Sequence, residues 1–378
     1  MSHRIESAGG RAPQRMDPAR ARTSFLTPRK ILWPILLSLV VLVGIGVATF
    51  EPDEFVQVVD RINVWMLGAA LAMVFFRVYF GGLRLNYISR GRLGYATGMR
   101  GQLAWDFFSN VTPSAIGGAP FAAVYLAREK HIGVGETTAF MLFSMLLDQL
   151  WFALTIPIVI IGSMYLEVIP AAVGHVGLAG FMLYFFAMLA WVVLFGYATM
   201  FRPDILQRLA SRLFRLRWLR RFHDRVEHSM RQLRRRAKIL RSQPPIFYVK
   251  GILLTIGTWA SRYLLLLFVV WAFYEDFDKA LLLLRTAAMT LGSLIMPTPG
   301  GAGGIEALYA LFIGTLIPAA TVAPTLLAWR FLAYYLFVGL GIFLTTHHVQ
   351  QSISRSNEIH EEPAEEEPLL AELNEEVG

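Results

Sequence analysis

Five charged residues sit inside stretches that are otherwise apolar: Arg77, Arg262 and Arg330 are cationic, Asp148 and Glu306 anionic. A charge at bilayer depth costs several kcal/mol, so such residues face a partner or a watery cavity. Arginine keeps its charge in every environment, and its planar donor fork matches phosphate oxygens, which makes these three natural ligands for an anionic head group. The two carboxylates are their counter-ions in the empty state. Asp148 or Glu306 is also the group that could take a proton if movement is coupled to an ion gradient. A fixed salt bridge that braces the protein is the competing reading, and for Arg330 the two stand even.

Two breaks lie among these charges. Asn110-Val-Thr-Pro113-Ser-Ala-Ile-Gly117-Gly118-Ala-Pro120 and Met296-Pro297-Thr-Pro299-Gly300-Gly301-Ala-Gly303-Gly304-Ile-Glu306 each stop a helix inside an apolar run. Hydrocarbon cannot solvate the freed N–H and C=O groups, so a break survives only where protein or a cavity receives it. Matched breaks in two halves of a chain mark a mid-membrane binding site between internal repeats. The run after Pro299 has few side chains, so its backbone N–H groups and the following helix N-terminus form an anion seat, with Gly117 and Gly118 as the counterpart. The competing reading is that the glycines let two tips pack closely. The run lacks the Lys-Ser/Thr ending of a nucleotide loop, which excludes ATP there.

The elements that hold these residues follow from composition. The chain of 378 residues is 55% hydrophobic and 16% charged, with a mean hydropathy of +0.50, more apolar than a water-soluble domain. Cysteine is absent, which removes disulfides, thiol nucleophiles and Cys-ligated metals; no cofactor or metal is expected. Spans are predicted at 31–50, 64–83, 137–165, 174–200, 246–273 and 322–346, each long enough to cross. Residues 202–245 carry 14 Lys/Arg, and the preference of such residues for the cytoplasmic side puts this linker and both termini inside. That topology requires both broken stretches, 103–127 and 280–317, to be re-entrant hairpins.

The predicted fold is therefore an all-α polytopic membrane protein with six spans and two re-entrant hairpins in an inverted repeat. A basic segment (1–30) precedes a first half (31–200), a basic amphipathic linker (201–245), a second half (246–348) and an acidic tail (349–378). Spacing supports the repeat: Arg77 precedes Pro113 by 36 residues and Arg262 precedes Pro299 by 37. Arg84 is expected to snorkel to the cytoplasmic head groups. In the linker, apolar positions from Leu206 to Leu240 recur every three or four residues among arginines, the pattern of a helix lying on the inner leaflet. It anchors the linker or gathers anionic lipid. Nucleic acid is excluded as a partner by the membrane on both flanks.

The pattern Asn110-x-x-Pro113-x-x-x-Gly117-Gly118, then Asp148, then Pro297-x-Pro299-Gly300-Gly301-x-Gly303-x-x-Glu306 and Arg330, resembles the transmembrane region of the lysylphosphatidylglycerol synthase family, also called the flippase-like family. The resemblance spans about residues 30 to 348. It implies a protein of the bacterial cytoplasmic membrane related to flippases that move aminoacylated phospholipid between leaflets; together with the arginines, the expected cargo is an anionic or aminoacylated phospholipid, or a polyprenyl-phosphate-type lipid. The acidic tail stands where the synthases carry their aminoacyltransferase domain, so no lipid aminoacylation and no enzymatic activity is expected. The alternative is a non-transporting, lipid-binding scaffold subunit of an envelope assembly enzyme. Membrane phospholipids are the expected partners, and a homo-oligomer or an envelope-biosynthesis enzyme as a further partner stays open.

Overall fold

In the computed structural model, residues 28–49, 62–112, 118–198, 208 and 223–344 are described, and they are helical with short connections. Pro113 and Gly117, the first half of the amphipathic run, and both terminal segments lie outside them. The helices are α1 (Pro28–Thr49), α2 (Val64–Ile88), α3 (Tyr95–Val111), α4 (Gly118–Glu129), α5 (Val134–Gly162), α6 (Gly174–Gly196), α7 (His223–Arg241), α8 (Pro245–Phe273), α9 (Lys279–Ser293) and α10 (Gly304–Phe312). The last, α11 (Ala319–Leu344), contains a π-helical segment at Phe331–Tyr335. Four of these, α2, α5, α8 and α11, are long and apolar enough to cross a membrane. The apolar parts of α1 and α6 are shorter, Leu32–Ala48 and Met182–Gly196, and stand where the other two expected spans lie.

One order of elements occurs twice: a long helix, two short ones and a long helix, in α2–α5 and again in α8–α11. The short helices have 17, 12, 15 and 9 residues. At 1.5 Å per residue they reach about 25, 18, 22 and 13 Å, each less than the ~30 Å hydrocarbon thickness. Each pair folds back on itself, α3 against α4 and α9 against α10.

Local sequence sets the ends of these elements. Asn63 caps α2 by accepting from the N–H groups of Trp65 and Met66 at 3.1 and 3.3 Å, and Asp278 caps α9 through Ala280 and Leu281 at 2.8 and 3.0 Å. Such side-chain acceptors satisfy N–H groups that a helix start leaves unpaired. The Asn63 N–H donates to the Ala272 carbonyl at 2.8 Å, so α2 begins where α8 ends and the two run antiparallel along their length. Small residues permit the close approaches: a Cβ on Gly257 of α8 would lie 2.8 Å from the Phe80 ring, and one on Gly82 would lie 2.7 Å from the Met99 backbone of α3. Membrane helices, which gain little hydrophobic drive from each other, depend on contacts of this kind.

The described part of the amphipathic linker, α7, packs against the protein. Leu233, Ala237 and Leu240 are buried as α7 packs on α5. Gln232 accepts from the Gly135 N–H at 3.2 Å. Arg236 and Arg92 meet Glu136 at 2.6 and 2.7 Å. The protein itself covers this stretch of the apolar stripe.

Candidate functional site

Four of the five intramembrane charges, Arg77, Asp148, Arg262 and Arg330, line one cavity of about 260 Å³ together with Arg84, walled by α2, α3, α5, α8, α9, the second break with the start of α10, and α11. Helical periodicity explains the convergence. Arg77 and Arg84 are seven apart on α2, and Gln102, Asp106 and Asn110 are four apart on α3, so each set lines one face. Thr258, Trp259 and Arg262 do the same on α8, as do Thr286, Thr290 and Ser293 on α9.

Asp106 is the hub. Its Oδ1 accepts from Arg77 Nη2 at 2.9 Å and from Arg262 Nη2 at 2.6 Å, and its Oδ2 accepts from Gln102 Nε2 at 3.2 Å. The Asp106 and Arg77 side chains are 4% and 5% exposed, whereas that of Arg262 is 28% exposed. Arg77 also donates to the Ala333 carbonyl at 3.3 Å and lies over the Phe337 ring at 4.0 Å. The Arg262 guanidinium stacks on Trp259 at 4.6 Å. Trp259 Nε1 donates to Asp148 at 2.8 Å, and Asp148 receives Arg84 at 2.5 Å. A continuous chain of charge and ring contacts thus links α2, α3, α8 and α5.

A second network holds the glycine-rich break. Glu306, fully buried, receives Arg330 at 2.6 Å, the Ser38 hydroxyl and the Gly303 N–H at 2.8 Å. Its carboxylate therefore caps α10 and ties the break to α1 and α11. Gly300 and Gly303 have φ of +58° and +83°, and glycine adopts that region without a steric penalty. A Cβ on Gly300 would fall on the Tyr334 ring and 3.2 Å from the Asn110 carbonyl, so the two broken tips touch. Arg330 stacks on Tyr334 at 4.5 Å, donates to the Gly300 carbonyl at 3.4 Å, and lies next to the π-helical segment, a deformation that recurs at functional sites.

The structure thus departs from several sequence expectations. The anion seat at the second break is already filled from within. The N–H groups of Gly301, Ala302 and Gly303 donate to Thr298, Pro299 and Glu306, and a carboxylate already neutralises the helix end. Gly118 serves close packing, since a Cβ there would lie 2.5 Å from the Ser109 backbone nitrogen. Arg84, expected to snorkel, is buried, because Asp148 and Thr255 on the neighbouring helices receive its guanidinium at 2.5 and 3.3 Å. Glu306 faces the brace and not the cavity.

Three functional or structural residues escaped the sequence reading. Asp106 carried a usable signal, the Gln102/Asp106/Asn110 periodicity in an apolar helix. Ser38 had none. Arg285 is buried on α9 and donates to the carbonyls of Glu167 and Phe312 at 2.7 and 2.9 Å and to Thr315 Oγ1 at 2.5 Å; it locks the hairpin to the α5–α6 connection.

Long apolar helices around an ion-paired cavity define an all-helical, multi-pass membrane protein. Its family follows from comparison: the model described as the lysylphosphatidylglycerol synthase TM region matches residues 31–341, and the chain belongs to that family. A UPF0104 membrane protein of Archaeoglobus fulgidus is 21% identical over 319 residues, which cover 80% of this chain and 92% of that protein.

Proposed function

We propose that the protein moves a phospholipid or related lipid with an anionic head group between leaflets, with the head group in the central cavity and the acyl tails in the surrounding bilayer. The observation that carries this reading is the sharing of Asp106: two arginines depend on one carboxylate oxygen, and the more exposed of them faces the cavity. A phosphate can take Arg262 from that shared contact without stranding Asp106, which keeps Arg77. This exchange is the differential contact that a substrate must make if it is to shift a conformational equilibrium.

The repeated element order and the antiparallel α2–α8 pair support an inverted repeat with re-entrant hairpins α3–α4 and α9–α10. In such a frame the two units rock about a central site. The Glu306–Arg330–Ser38 network braces α10 and α11 of the second unit against α1, and the Asp106–Arg262 contact between the units is the point that opens. Positive charge along residues 202–245 supports a cytoplasmic linker, in a cytoplasmic membrane.

The test is lipid movement in reconstituted vesicles with a head-group-labelled phosphatidylglycerol and an external quencher. Wild-type protein is expected to expose inner-leaflet label, and Arg262→Gln to abolish this while its detergent melting profile is retained. Unchanged movement in a folded Arg262→Gln variant would refute the reading.

A further inference from the structure

Resting on that reading, we infer that the cavity selects a lipid whose head group is net anionic, a phosphodiester without ammonium groups, and discriminates against the aminoacylated form that the family description names. The charge balance of the walls carries this. Among the described residues the cavity is lined by Arg77, Arg84, Arg262 and Arg330 against Asp106 and Asp148 alone. Glu306, behind Arg330, offsets one arginine and leaves one guanidinium charge in excess. The short segment 113–117, Pro-Ser-Ala-Ile-Gly, contains no ionisable residue that would alter the balance.

Hydrogen-bonding capacity points the same way. Among the buried side-chain atoms of the lining residues that lack a protein partner, the donors are the Nε–H groups of all four arginines and the Asn110 amide nitrogen, and the acceptors are the amide oxygens of Gln102 and Gln149; the Tyr263 hydroxyl serves in either role. Both carboxylates are committed. Asp106 takes two arginines and Gln102, and Asp148 takes Arg84 through both oxygens, at 2.5 and 3.5 Å, together with Trp259.

A phosphodiester supplies one negative charge and several acceptors to this donor-rich wall. A lysyl ester of phosphatidylglycerol brings one phosphate and two ammonium groups, so its head group is net cationic and would have to place ammonium groups among guanidiniums with no free carboxylate. At an effective dielectric of about 20, one unit charge ~10 Å away shifts a binding constant by more than tenfold, and the two lipids differ by two charges.

The experiment compares binding of phosphatidylglycerol, lysylphosphatidylglycerol and inorganic phosphate to the purified full chain in neutral detergent, read by native mass spectrometry and by competition. Phosphatidylglycerol is expected to bind at least about tenfold more tightly than its lysyl ester; equal or reversed affinity would overturn the inference. Inorganic phosphate at matched concentration is expected not to displace the lipid, and displacement would overturn the assignment to a lipid. In Ser293→Asp, which adds a carboxylate to the wall, the preference is expected to narrow; an unchanged ratio in the folded variant would show that the cavity is not the seat. Vesicle movement separates this from the broader reading. Lysylphosphatidylglycerol moved faster than phosphatidylglycerol would leave transport standing and remove the selectivity, whereas selective binding without movement would do the reverse.

Discussion

Replacing Asp106 with alanine removes one carboxylate from two guanidiniums, and the structure says which of them suffers more. Removing one member of a buried ion pair costs about 3–5 kcal/mol, because the partner's charge stays behind. Distance favours Arg262, at 2.6 against 2.9 Å, but Coulomb energy falls only as 1/r and this difference changes it by about a tenth. Burial favours Arg77, 5% exposed against 28% for Arg262, and the effective dielectric between those settings changes several-fold. Burial decides the comparison. We expect Asp106→Ala to cost about 3–5 kcal/mol, with an Asp106/Arg77 coupling of about 2–3 kcal/mol and an Asp106/Arg262 coupling below about 1 kcal/mol. The assay is a double-mutant cycle on the full chain, unfolded in mixed micelles and followed by tryptophan fluorescence. A coupling to Arg262 equal to or above that to Arg77 would refute the argument, as would a total cost under about 1 kcal/mol.

Three further outcomes follow from single sites. Gly300→Ala places a methyl group against Tyr334 at positive φ, so a loss of about 2 kcal/mol or more is expected in the same unfolding assay; wild-type stability would mean that the tips do not meet. Ser38→Ala removes one donor of a carboxylate that keeps Arg330 and Gly303, and about 1.5–3 kcal/mol is the expected cost of a hydrogen bond to a charged group. Arg285→Leu leaves the Glu167 and Phe312 carbonyls without this donor, and a loss of about 2–4 kcal/mol is expected, with faster proteolysis of the α5–α6 connection as the second readout.

Much of the site was legible because the bilayer makes charge and irregular backbone expensive. Arg77, Arg262, Arg330, Asp148 and Glu306 stood out against their apolar surroundings for that reason alone, and the Pro-Gly breaks did so because no helix continues through Pro299 followed by two glycines. Asp106 was readable from its four-residue spacing with Gln102 and Asn110, a signal weaker than charge in a long apolar run because α3 is short and less apolar. Arg84 misled because a charge near the end of a span has two physical outcomes, snorkelling or burial, and a partner on another helix, Asp148, chooses between them.

Helical class, the two breaks and the identity of the costly charges are properties of the chain's order of residues, since each depends on local composition against a hydrocarbon solvent. Pairing is not. That Arg77 and Arg262, 185 positions apart in the chain, share one oxygen of Asp106, that Glu306 turns back to cap its own helix, and that Gly300 rests on Tyr334 are decided by how α2, α3, α8 and α11 cross. Ion pairs form between whichever groups packing brings within a few ångströms, and sequence separation carries no information about that distance.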